Sequence, residues 1–195
     1  MEGKDKKIGL FFGSFNPVHV GHMIIANFMA TRTDLDQVWI VVSPQNPLKE
    51  KDSLASDYDR LHLVRLAIGD NPRLQASDIE FGLPKPSYTI DTLTHLREKY
   101  PQKQFCLIMG GDNLATIHKW KNYKLLLANY EIYVYRRPSY DAGQYENRPG
   151  IRFFEAPLMQ ISASYIRRCI AQGLSVRYLL PDPVYEYLAD SNLYR

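Results

Sequence analysis

The apolar run Ile8 to Phe12 stops at Gly13, and a longer, mostly apolar run follows over Met23 to Met29. Between them lies Gly13-Ser14-Phe15-Asn16-Pro17-Val18-His19-Val20-Gly21-His22. The first run is short and the second does not alternate, so the stretch reads as strand, tight turn and helix. A strand entering a helix this way leaves backbone N–H groups without intrahelical partners, at the end where the peptide dipoles favour negative charge. Such a place binds phosphate. His19 and His22 are three residues apart, which puts them on one face of the first helical turn, within reach of a single anion. Gly13 is expected to take backbone angles closed to other residues, and Gly21 to let a flat ring or a phosphate approach the main chain. Pro17 stiffens the turn and donates no hydrogen bond.

Two histidines at this spacing are also compatible with a plain helix surface or with zinc. A zinc site needs three or four protein ligands, however, and Cys106 and Cys169 lie far away in sequence with no ligand spacing. Two unclustered cysteines also suggest a reducing compartment. A net charge of +3 is too small to indicate a nucleic-acid partner, and Lys4-Asp5-Lys6-Lys7 is expected to be a solvated end. Ile8 to Phe12 is too short for a signal-peptide core, and no segment approaches ~20 apolar residues. A cytoplasmic protein without membrane contact is expected.

Along the rest of the chain, strand-like and helix-like runs alternate. Strands are expected over Gln37–Val42, Arg73–Ile79, Gln104–Met109, Tyr130–Tyr135 and Ile151–Phe154. Helices are expected over Asp57–Ile68, with Asp57 as N-cap, and over Thr89–Tyr100, Lys124–Ala128 and Asp182–Tyr194. Ser43 to Ser56 and Pro138 to Pro149 read as loops. Such alternation implies parallel pairing through helical crossovers, giving an α/β, Rossmann-like, doubly wound, mainly parallel sheet. One domain over residues 1–195 is expected, with a small C-terminal helical segment over about 157–195. In such sheets ligands sit beyond the strand C-termini, where Gly13-Ser14 and Gly110-Gly111 both fall.

A second informative stretch is Ile161-Ser162-Ala163-Ser164-Tyr165-Ile166-Arg167. Ser162 is a suitable N-cap for a helix reaching Ala171, and the Arg167 guanidinium is long enough to fold back toward an anion at that helix start. The same residues would also serve as a simple capped surface helix.

Together these stretches resemble the nucleotidyltransferase superfamily, whose signatures are His-x-Gly-His and Ile-Ser-x-Thr-x-x-Arg. Gly13 to His19 is most similar to the bacterial nicotinate mononucleotide adenylyltransferase branch. The resemblance implies that His19 and His22 hold the phosphates of ATP and that Gly13, Ser14, Phe15, Gly21, Ser162 and Ser164 belong to the ATP site. It also implies that Arg167 and Lys49 complete the catalytic set. Ser164 stands where threonine is usual, which keeps the hydroxyl. The resemblance further implies that Ser87, Tyr88 and Thr89 contact the mononucleotide, that Gly110 and Asp112 meet its ribose, that Trp120 stacks on the pyridine ring, and that Arg137 meets its phosphate. A core-filling role for Trp120 is the plain alternative. In the loop after the second strand, Leu48 stands where many members carry histidine, while Lys49 is retained. Either another group in that loop substitutes, or Lys49 and magnesium hold the outer phosphates.

The implied reaction joins the AMP moiety of ATP to nicotinate mononucleotide, giving deamido-NAD and pyrophosphate by direct in-line attack. Mg2+ is the implied cofactor, held mainly by phosphates. The nucleophile is a phosphate oxygen already ionised near neutral pH, so positioning and charge stabilisation are what the protein must supply. Pantetheine-phosphate adenylyltransferase shares both signatures, but the length of this chain and its Trp120 region argue against it. A non-catalytic domain that senses pyridine nucleotides is the alternative from another class. A class I aminoacyl-tRNA synthetase would need a longer chain. Both monomer and homo-oligomer fit the sequence.

Overall fold

The computed structural model describes residues 6–44, 54–138 and 140–195. Six strands, β1 (Lys6–Gly13), β2 (Gln37–Val42), β3 (Leu74–Ser77), β4 (Lys103–Gly110), β5 (Ile132–Tyr135) and β6 (Ile151–Phe154), form one sheet. Their order is β3-β2-β1-β4-β5-β6, and every pairing is parallel. The helices are α1 (Val20–Arg32), α2 (Asp57–Ile68), α3 (Thr89–Lys99), α4 (Gly111–Ala115), α5 (Tyr123–Asn129), α6 (Ala163–Ala171) and α7 (Asp182–Asp190).

The strands are apolar almost throughout because both faces are covered. Alternate residues go to opposite sides. Val38, Ile40 and Val42 of β2, with Cys106 and Ile108 of β4, pack against Ile25 and Met29 of α1, Leu61 and Val64 of α2, Ile166 of α6 and Val184 of α7. Trp39 and Val41, with Leu107 and Met109, meet Leu93 and Leu96 of α3, Leu114 of α4 and Leu126 of α5. Each such aliphatic side chain contributes about 1.5–3 kcal/mol by leaving water. The result is helix, sheet, helix, as the alternation of runs implies.

Three local expectations are corrected. The N-cap of α2 is Ser56, whose Oγ accepts the Asp59 N–H at 3.1 Å, and Asp57 is the first helical residue. Its carboxylate instead accepts from Arg60 and Lys85 at 2.7 and 2.9 Å. Lys7 is not part of a solvated end. Its ammonium donates to Glu131 at 2.6 Å and Asp34 at 3.0 Å, beside Tyr133, whose hydroxyl donates to Asp34 at 2.5 Å. Burial opposes the Lys7 charge, but these bonds outweigh it and hold its pKa well above the usual value. The last helix ends at Asp190 rather than Tyr194, and it packs on this chain's own α2, with Tyr187 edge-on to His62 at 4.7 Å.

Arg60 governs the C-terminal edge of the sheet. It is fully buried on α2, and its guanidinium donates to the carbonyls of Ser14 at 2.5 Å, Ser43 at 2.9 Å and Ala55 at 3.1 Å, and to Asp57. One side chain thus ties the loop after β1 to the loop after β2. Replacing it by Met leaves those carbonyls without their buried donor and Asp57 with Lys85 as its remaining partner. Arg60→Met should cost roughly 3–5 kcal/mol in urea unfolding. Arg60→Lys should also destabilise, because an ammonium cannot reproduce the planar fork.

Candidate active site

β1 lies at the centre of the sheet, with β2 on one side and β4 on the other, so the winding direction changes between β1 and β4. The strand C-termini there are where ligands bind in such sheets.

The turn from β1 into α1 differs in detail from expectation. The unusual backbone angle is at Phe15, with φ 47°, and not at Gly13. A bulky residue in the left-handed region is strained and persists only where packing enforces it. Here the Phe15 ring is buried edge-on to Phe11 and His22, with centroids 5.7 and 5.0 Å away. Gly13 makes room for it, since a Cβ at position 13 would lie 2.8 Å from that ring. The Phe15 side chain is therefore core, which leaves only its main chain for a ligand.

His19 is the N-cap of α1 rather than a residue of its first turn, and His22 is the third helical residue. Their rings stack at 3.7 Å with a 24° tilt, and His22 Nδ1 accepts the His19 N–H at 3.3 Å. Gly21 permits this, because a Cβ there would fall 3.1 Å from His19 Nδ1. His19 is 6% exposed, and its Nδ1 has no hydrogen-bond partner among the described residues. Burial lowers its pKa to about 4, so the ring is neutral near pH 7.

Arg167 on α6 reaches this turn, donating to the Asn16 carbonyl at 2.8 Å. Ser162 caps α6, accepting from the Tyr165 N–H at 3.2 Å, while Ser162 and Ser164 are exposed. The buried Asn16 accepts from Ala55 N–H at 3.1 Å and from the Tyr194 hydroxyl at 2.7 Å, so the chain's end is fastened to the same turn. Lys49 and Leu48 lie outside the described residues.

Next to the turn is a cavity of about 180 Å³, whose lining includes Gly13, Ser14, Ser87, Tyr88, Thr89 and Trp120. Tyr88 is the N-cap of α3, so first-turn N–H groups of that helix lie at the cavity wall. Trp120 follows a short 3-10 turn (Ile117–Lys119) and packs partly on the core, so filling and lining are both part of its role. Gly110, Asp112 and Arg137 stand together at the ends of β4 and β5. Arg137 Nε is 3.3 Å from Asp112 Oδ1, which is buried and not aligned for a hydrogen bond, so these two are engaged with each other. Among the described residues, no group of three or more His, Cys, Asp or Glu side chains converges as a metal site, and no helix is long and apolar enough to cross a membrane.

Residues 10–169 match the cytidylyltransferase-like family model. A protein from Flavobacterium psychrophilum named probable nicotinate-nucleotide adenylyltransferase is 53% identical, covering 97% of this chain and 99% of its own. The chain belongs to this adenylyltransferase family. A relative of the same name from Bacteroides fragilis is 41% identical over 92% of this chain and 90% of its own. Among solved structures, a Plasmodium falciparum nicotinic acid mononucleotide adenylyltransferase complexed with NaAD superposes with a TM-score of 0.83, covering 97% of each chain. At 19% identity, that likeness establishes the adenylyltransferase fold.

Four buried or anchoring residues of this adenylyltransferase fold escape the sequence reading. Asn16, Arg60 and Tyr194 fix the turn between β1 and α1, and Glu80 lines the cavity. The Asp57-x-x-Arg60 spacing is a helix ion-pair signal, but it gives no hint that the arginine turns inward.

Two outcomes follow from the geometry. His19 has a lower pKa folded than unfolded, so its contribution is complete above pH 6.5 and is lost as pH falls from 6.5 toward 4, where the unfolded chain binds the extra proton. Unfolding free energy should drop by about 3 kcal/mol over that window, and His19→Asn should remove that part of the dependence. Gly21→Ala should change folding stability by no more than about 1 kcal/mol, because the helix preference of alanine is offset by the shift its Cβ forces on the His19 ring. By displacing the His19 ring it should weaken ATP binding about tenfold, readable by calorimetry.

Proposed function

We propose that this chain transfers the adenylyl group of ATP to nicotinate mononucleotide, releasing pyrophosphate and forming deamido-NAD. The observation that carries this reading is the adjacency of two unlike half-sites on one loop. Gly13-Ser14 borders the Trp120 cavity on one side and leads into the His19–His22 stack on the other. An anion at the start of α1 and a flat ring against Trp120 would then lie beside each other. The names of relatives at 53% and 41% identity support the same chemistry.

The residues divide the work. First-turn N–H groups of α1, with His19 and His22, are oriented donors for the α- and β-phosphates. Arg167, held against the Asn16 carbonyl, adds a fixed positive charge at the same turn. Ser162, Ser164 and Lys49 are proposed contacts to the outer phosphates. The mononucleotide is placed by Ser87, Tyr88, Thr89 and Trp120, with Gly110, Asp112 and Arg137 at its ribose and phosphate. The start of α3 favours a carboxylate over an amide on the pyridine ring, which supports the nicotinate form. No side chain has to remove a proton or form a covalent intermediate, and Cys106, the one buried cysteine in the sheet, has its thiol pKa pushed up by burial. With no carboxylate cluster among the described residues, Mg2+ would be carried by the nucleotide's phosphates, where it supplies charge neutralisation of the departing pyrophosphate.

Pyrophosphate release from ATP and magnesium should be strong with nicotinate mononucleotide and weak with nicotinamide mononucleotide or phosphopantetheine. His19→Ala and His22→Ala should each lower turnover by about 10²-fold or more. Silence with all three acceptors, or unchanged turnover in both variants, rejects the mechanism.

A further inference from the structure

Glu80 is a buried carboxylate, 2% exposed, in the wall of the Trp120 cavity. Both of its oxygens accept hydroxyl hydrogen bonds, Oε2 from Ser87 at 3.0 Å and Oε1 from Thr92 at 2.7 Å. Two hydroxyl donors fix the carboxylate but do not neutralise it. Among the described residues no Lys, Arg or His nitrogen comes within ion-pair distance of it. Lys121 lines the same cavity, but its ammonium is 2.8 Å from Asp91 and lies over the Tyr88 ring at 4.7 Å. Lys119 is exposed at the rim. Lys85, on the segment leading to Ser87, is paired with Asp57 at 2.9 Å.

A carboxylate taken out of water without a countercharge is costly, and such groups are normally paired. This one lines a cavity that the Trp120 indole also lines, and an indole is the other side-chain feature that attracts an organic cation. We propose that Glu80 is the countercharge for the positively charged pyridinium ring of the acceptor, so that the cavity selects a cationic ring over a neutral ring of the same shape. The inference rests on the acceptor reading above and deepens it. The roles are separable: the start of α3 meets the ring's carboxylate substituent, and Glu80 meets the charge of the ring itself. Ser87 and Thr92 each donate one hydroxyl to the carboxylate, and its charge rather than either hydroxyl carries the preference.

The test compares nicotinate mononucleotide with the C-riboside 5′-phosphate of benzoate, in which carbon replaces the ring nitrogen. Shape and carboxylate are kept and the positive charge is gone. Binding of each to the full chain is measured by calorimetry without ATP, beside pyrophosphate release with ATP. The wild-type chain should bind the cationic ring about tenfold or more tightly than the neutral one, as expected for one opposite charge in a partly dry site. Glu80→Gln should remove most of that preference, weakening the cationic ligand alone and leaving the neutral ligand and the KM for ATP unchanged. Thr92→Val, which keeps the charge and removes one hydroxyl, should retain the preference.

Equal wild-type affinity for the two rings overturns the proposal, and so does equal weakening of both by Glu80→Gln, which would reduce Glu80 to a holder of Ser87 and Thr92. Loss of the preference in Thr92→Val overturns it as well. If Glu80→Gln does not fold, the wild-type and Thr92→Val comparisons still decide. Turnover with equal affinities sinks this inference alone. A wild-type chain that neither binds nor turns over nicotinate mononucleotide sinks the proposed function along with it.

Discussion

The loops after β1 and β2, at the C-terminal edge of the sheet, depend on one buried cation. Loops that follow parallel strands end with carbonyls that no neighbouring strand can satisfy, and a water-filled solution is closed to them beneath a helix. Arg60 supplies the missing donors from α2, reaching Ser14, Ser43 and Ala55 at once, and Asp57 keeps its charge paired. Desolvating a guanidinium is expensive, and five directed donors in a fixed plane are what make it tolerable. Because Ser14 lies in the turn before α1 and both Ser14 and Ser43 line the Trp120 cavity, this contact sets the spacing of those two loops.

Around that fixed edge, the turn before α1 is assembled by mutual exclusion of side chains. Gly13 leaves space for the Phe15 ring, Phe15 supports His22, and Gly21 leaves space for His19 to stack on it. A neutral His19 follows from that burial. The stack therefore does not hold a pair of imidazolium charges, which would repel each other at 3.7 Å. The C-terminus contributes too, since Arg167 and Tyr194 both end on Asn16. The turn before α1 is thereby joined to α6 and to the segment after α7.

Much of the fold was legible because its signals are local. The alternation of apolar runs with helical spacing marks all six strands and the long helices within a few residues, and parallel pairing follows from crossover length. The His19-Val20-Gly21-His22 pattern and the Ser162 cap were legible for the same reason. Lys7 was misread because a basic residue near a chain end resembles a solvated one until Asp34, Glu131 and Tyr133 are brought to it from distant segments. Gly13 was assigned the unusual backbone angle because glycine takes it at least cost, yet tight packing placed that angle on Phe15.

The sequence by itself determined the strand–turn–helix around His19 and His22, the α/β alternation and the family likeness, all of which depend on residues near one another along the chain. Tertiary structure alone decided which polar side chains turn inward. Arg60 and Glu80 look like ordinary surface charges in sequence, one on a helix and one in a loop, and neither has a periodic pattern to betray it. Their burial depends on partners 46 positions away for Arg60 and 7 and 12 positions away for Glu80. Hydrogen-bond satisfaction is a property of closed space, and that space exists only after the chain has folded.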